Sequence, residues 1–157
     1  MKNLKEVLFA MTLTLGAILS SPQANAHEAH IGNLLIMHPW SREVAPAATV
    51  AAGYMDITNN GKADDTLLKA TIDISDKVSL HEMSMTGDVM KMAEMKGGIA
   101  IPAGKTVKLM PMGLHIMFQA LKSHPKKGDM VNGTLTFAKA GTVKVEFMIE
   151  PSDAGMQ

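Results

Sequence analysis

The stretch Thr142–Ile149 reads TVKVEFMI, with Val143, Val145, Phe147 and Ile149 on one parity and Lys144 and Glu146 on the other. Successive side chains of an extended chain point to opposite faces, so this is a half-buried strand. The same test marks Ile31–Met37, Gly53–Thr58, Thr66–Ile74, Lys77–Met83, Val89–Met95, Thr106–Met110, Leu114–Leu121 and Met130–Phe137 as strands. Turn chemistry separates them: Asn59-Asn60-Gly61, Thr86-Gly87-Asp88, Gly97-Gly98, Pro102-Ala103-Gly104, Lys127-Gly128-Asp129 and Ala140-Gly141. Ala45–Ala52, rich in alanine with one proline, reads as a loop or a short helix. Short strands at this spacing predict an all-β chain, a β-sandwich or Greek-key barrel in a single domain.

The first 26 residues have the form of a signal peptide. Lys2 and Lys5 supply a positive start, Val7–Leu19 is an apolar run of 13 residues, and Ala24-Asn25-Ala26 is a small-x-small cleavage pattern. Cleavage after Ala26 is expected, which makes 27–157 the mature domain. The apolar run is short for a membrane span, and no later stretch is long enough for one. Leaving out Lys2, Lys5 and Glu6 takes 15 basic and 15 acidic residues to 13 and 14. That near-neutral balance does not favour nucleic acid or an anionic membrane as partner. The chain has no cysteine, which excludes thiol nucleophiles, zinc–thiolate sites and thiolate copper centres.

Methionine goes the other way. The chain has 15, and eight of them lie between Met83 and Met117. The run HEMSMTGDVMKM, residues 81–92, concentrates them among polar neighbours. Parity is informative here. If Val78 and Leu80 face the core, His81 and Met83 face away from it together. If Leu114, Ile116 and Phe118 face the core, so do His115 and Met117. Two His-x-Met pairs are thus expected on non-core faces of two strands. Thioether and imidazole are suited to Cu(I), whereas hard ions need converging carboxylates. Taken singly, Met83, Met85, Met90 and Met95 also suit core packing, and a lone His81 suits a solvated surface.

Other residues point to less. His38, in MHPWSR, is expected to order a loop beside Trp40. His124 reads as a solvated turn residue, and Asp64-Asp65 as turn chemistry. No nucleophile elbow surrounds a serine, and no glycine-rich phosphate loop occurs. If the mature chain starts at His27, its amine, its imidazole and the nearby His30 (HEAH) make a second place for copper, as Cu(II). A flexible terminus with adventitious affinity is the plainer alternative. A small copper oxygenase using that terminus is the enzyme alternative. The methionine cluster disfavours it.

The motifs HEMSMTGDVMKM, IPAGKTVKL, GLHIM and GDMVNGTLTFAKAG, in that order and preceded by MHPWSREVAPAATVAAGYMDITNNG, resemble the periplasmic copper chaperones of the PCu(A)C type. The resemblance covers nearly all of the mature chain. It implies a cupredoxin-like β-sandwich and a non-enzymatic, monomeric periplasmic protein. It implies Cu(I) held by His81, Met92, His115 and Met117. It also implies delivery to a periplasmic acceptor, such as the copper centre of cytochrome c oxidase subunit II or another assembly chaperone. Sequestration for copper tolerance, without a dedicated acceptor, is the alternative use of the same ligands. Met83, Met85 and Met90 stand as secondary sulfurs. The family pattern is His, ten residues, Met, twenty-one residues, His-x-Met. Here ten residues separate His81 from Met92, but 22 separate Met92 from His115. The added residue is expected in the Lys96-Gly97-Gly98 turn.

Overall fold

The computed structural model describes residues 27–156. Leader residues 1–26, with the expected cleavage point, lie outside the described residues. Eleven strands and no helix make up the described part: β1 (Glu28–Ile31), β2 (Leu34–Arg42), β3 (Val50–Asn59), β4 (Asp65–Ile72), β5 (Lys77–Thr86), β6 (Val89–Glu94), β7 (Ile99–Ile101), β8 (Thr106–Leu109), β9 (Leu114–Gln119), β10 (Met130–Phe137) and β11 (Gly141–Glu150).

The strands join in one hydrogen-bonded order, β6-β5-β9-β8-β3-β2-β11-β10-β4-β7, with β1 added on β2. All pairings are antiparallel except β2 with β11 and β8 with β9. β3 is shared: Val50–Gly53 pair with β9, and Met55–Thr58 with β8. This network folds over on itself as a cupredoxin-like sandwich. Phe118 of β9 meets Phe147 of β11 edge to face, centroids 5.4 Å apart, an arrangement the ring quadrupoles favour. Around them pack Ile36, Met55, Ile57, Leu67, Ile116 and Leu135, all at 0–1% exposure. Gly53 is required in this layer, because a Cβ there would sit 2.6 Å from Phe118 Cζ.

Two strands escape the sequence pattern. β7 has only three residues, but Ile99 and Ile101 are buried. β1 is a four-residue strip laid on β2. β3 begins at Val50, so Ala45–Ala52 is loop and then strand, not helix. β2 runs past the expected end at Met37 to Arg42, through a bulge. There His38 takes φ 48° and sits 6.4 Å from Trp40, its Nε2 3.2 Å from Glu150 Oε1. His124 is not a solvated turn residue. Its Nε2 lies 2.8 Å from the Ala48 carbonyl, pinning the loop before β3.

Candidate metal centre

The site is built on three adjacent strands, β6, β5 and β9. Residues directly opposite across a ladder share a face. On β5 and β9 the pairs Val78↔Phe118 and Leu80↔Ile116 face the core, and Ser79↔Met117 and His81↔His115 face away. On β5 and β6 the pairs His81↔Glu94, Met83↔Met92 and Met85↔Met90 continue that second face. All four residues singled out from the sequence therefore lie on one face. His81 and His115 sit side by side, ring centroids 5.7 Å apart and planes inclined by 31°. Met117 flanks them at the level of Ser79. Met92 flanks them at the other end, one position beyond, facing Met83. The register thus offers two sulfurs at that level.

The parity expectation holds for direction but not for exposure. His115 is 5% exposed and Met92 51%. β9 lies inside the sheet between β5 and the β3–β8 pair, whereas β6 is the last strand of the order. Neighbouring side chains therefore close over His115 and not over Met92.

Hydrogen bonds set the ring chemistry. His115 Nδ1–H donates to the Gly113 carbonyl, 3.0 Å away. A carbonyl only accepts, so Nδ1 carries the proton and Nε2 keeps a lone pair. His81 Nε2 lies 2.8 Å from Ser79 Oγ, a hydroxyl that can donate or accept, and Gln119 Nε2 donates to the same oxygen at 3.0 Å. His81 Nδ1 is buried with no hydrogen-bond partner. Burial, and then the neighbouring His115, hold the His81 imidazole below its ordinary value, against an opposing pull from Glu94. The neutral ring is the ligand form. A buried ring nitrogen without a partner is costly, and as a lone pair it can be taken up by a cation. Beside a second imidazole and soft sulfurs, a soft cation is the fitting acceptor. Among the described residues, no three of His, Asp or Glu converge as a hard-ion site.

Sequence reasoning did not find Ser79 or Gln119. Ser79 stands two residues before His81 on the same strand face, and that parity was a usable signal. Gln119 needs the β5–β9 register, which the sequence does not print.

The other candidates do not join this face. His27 and His30, three apart along extended chain, have opposite parity. They border a groove of about 920 Å³ with Glu28, Asp73, Lys144 and Glu146. His27 Nδ1 is 3.9 Å from Glu146 Oε2, and both histidines line that one groove, away from the β5–β6–β9 face. Asp64 and Asp65 do serve turns: Asp65 accepts from the backbone of Thr66, Lys139 and Ala140, and Asp64 from Ala103.

A protein-family profile described as "Putative lipoprotein LpqE-like" matches residues 34–149. "Putative lipoprotein Lxx21020" of Leifsonia xyli subsp. xyli (strain CTCB07) is 33% identical over 106 residues, which is 68% of this chain and 63% of that relative. The match thus spans less than two thirds of that relative's length. Among solved structures, the copper-bound PCuAC domain from PmoF2 aligns with a TM-score of 0.68 at 26% identity, over 80% of this chain and 98% of that one. The apo PCuAC domain from PmoF1 aligns with a TM-score of 0.68 at 26% identity, over 80% and 99%. The CuI form of DR1885 from Deinococcus radiodurans aligns with a TM-score of 0.60 at 26% identity, over 85% and 87%. The chain belongs to the LpqE-like family, and its fold is that of a PCuAC-type domain.

Proposed function

We propose that this protein is a copper chaperone of the periplasm, a carrier and not an enzyme. It binds Cu(I) through His81, His115, Met117 and Met92 and passes the ion to a periplasmic acceptor, with the copper centre of cytochrome c oxidase subunit II, or another assembly chaperone, as the destination. The observation that carries this is the His81–His115 pair, 5.7 Å apart, with an unpartnered ring nitrogen on His81 and thioethers flanking it on the same face. The solved relatives described as copper-bound PmoF2 and CuI-DR1885 support copper as the cargo.

The donor set suits transfer. Two neutral imidazoles and two neutral thioethers stabilise Cu(I) over Cu(II), and none of them is a thiolate that an oxidising compartment would consume. Met92 lies on the exposed edge strand, so one ligand can be exchanged while the buried His115 holds. The relatives' lipoprotein descriptions accord with export; these 157 residues contain no cysteine for a thiol-linked lipid.

The test is Cu(I) titration with X-ray absorption on the purified protein. Mixed nitrogen and sulfur neighbours in the wild type, lost in His115→Ala/Met117→Ala, are the expected result. Unaltered binding in that variant overturns the site. In a deletion strain, loss of oxidase activity in scarce copper is expected. Sensitivity to excess copper with normal oxidase would instead mean sequestration.

A further inference from the structure

We propose that the tip of the β5–β6 hairpin carries a second Cu(I) site, made only of thioethers, from Met83, Met85 and Met90. For the identity of its cargo it rests on the copper reading above. Its ligands are otherwise separate.

Beyond Glu82 the β5–β9 register ends, Met83 N–H still bonds the Gly113 carbonyl at 3.1 Å, and from Ser84 to Thr86 β6 is the only partner strand among the described residues. The hairpin therefore projects from the sandwich as a two-stranded flap closed by Gly87 and Asp88, with Gly87 at φ 61°. Such a flap has no core to fill. Even so, Met85 is 62% exposed and Met90 45%, although packing is the usual reason for methionine. The opposite face of the same flap carries Ser84, Lys91, Thr86 and Val89. The apolar residues are therefore sorted mainly to one side, where burial in this chain does not account for them.

What that side offers is sulfur. Met85 and Met90 are directly opposed, and so are Met83 and Met92. Cβ atoms of opposed residues lie about 5 Å apart, and next-but-one residues on a strand about 7 Å. Flexible side chains on that grid reach a common point above the ladder. Three thioethers then surround a monovalent soft ion without a charge or a proton of their own. With Met92 assigned to the histidine pair, Met83 completes the set with Met85 and Met90. Met83 and Met92 face one another, so the two sites are neighbours on one face. An ion captured at the solvent-exposed tip is one ladder step from the sulfur that serves His81 and His115. The hairpin then acts as a loading position for the histidine site.

The experiment is an anaerobic Cu(I) titration of the full chain in competition with a chromophoric chelator, with X-ray absorption on the loaded protein and Ag(I) as a redox-silent check. The wild type is expected to bind two ions. Met85→Leu/Met90→Leu keeps the hydrophobic volume and is expected to bind one, with mixed nitrogen and sulfur neighbours. His81→Ala/His115→Ala is expected to bind one, with sulfur neighbours alone. Two ions in the leucine variant, one in the wild type, or none in the alanine variant would overturn the hairpin site. A histidine variant that still binds two ions would instead count against the histidine site, so the two failures read differently.

Discussion

A histidine that is to bind a soft ion must present one ring nitrogen and park the proton on the other, and Ser79 Oγ can accept a hydrogen bond from that proton on His81 Nε2. With Nε2–H donating to Ser79 Oγ, the unpartnered Nδ1 is left with its lone pair. Gln119 fixes the hydroxyl by donating to it. Partners of this kind, one bond removed from a metal, are worth about 10–100-fold in affinity. Ser79→Ala is therefore expected to weaken Cu(I) binding roughly 10-fold. Nitrogen NMR of His81 should show a mixture of tautomers in place of one. Ser79→Thr restores both. An affinity within twofold of wild type, with one tautomer retained, would remove Ser79 from the site. Legibility at this scale follows parity. His81, Met83, His115 and Met117 could be put on non-core faces because each alternates with Leu80, Leu114, Ile116 or Phe118. Nothing along the chain says that His81 lies opposite His115, since that register is set by strands joined through the rest of the domain. His124 was misread for the same reason: its partner, the Ala48 carbonyl, is 76 positions away.

At the scale of elements, the long alternating strands were legible and so was the four-residue β8, whereas β1 and β7 were not. Met130–Phe137 has the bounds that alternation predicts, and Gly141–Glu150 extends its expected span by one residue at each end. Three residues of β7 hold too little pattern to stand out, although both isoleucines are core. Elements are joined at points where small changes tell. Gly53 of β3 leaves room for Phe118, and Gly53→Ala places a methyl in the ring. The expected loss is about 1–3 kcal/mol in denaturant unfolding, as for overpacked cores. Gly97→Ala, with nothing within 4 Å, should leave the midpoint unchanged. Asp65 joins the start of β4 to the β10–β11 turn. Burial pushes its carboxyl up, but the backbone N–H groups of Lys139, Thr66 and Ala140, with the Lys139 charge, outweigh that and hold it below 3.8. The folded state thus holds the proton less tightly than the unfolded one. The stabilisation is in full force above 3.8 and is lost as pH falls through the lower folded value. Asp65→Asn removes one acceptor and leaves a backbone N–H facing an amide. It should cost roughly 1–3 kcal/mol at neutral pH, and the gap to wild type should close as unfolding is measured at progressively lower pH. A gap that stays constant to pH 2 would refute the linkage.

The whole molecule decides what copper can do to stability. His81 and His115 belong to strands that are neighbours in space and 34 residues apart in sequence, with Met117 on the second of them. An unfolded chain does not hold these donors together, so an ion bound by them stabilises the folded state by mass action. At free Cu(I) or Ag(I) about 100-fold above the dissociation constant, the gain is about 2.7 kcal/mol. For a domain of this size that is on the order of 10 °C in Tm. The shift should grow with the logarithm of free metal and reverse on adding a strong Cu(I) chelator. In His115→Ala/Met117→Ala it should fall to whatever the hairpin methionines alone contribute. Calorimetry over a series of buffered metal concentrations measures all three. A wild-type Tm that ignores metal would mean that the ion is held only where the chain is already locally unfolded, and the paired histidines would then not be its seat. A shift undiminished in the double variant would place the stabilising ion on residues other than His81, His115 and Met117.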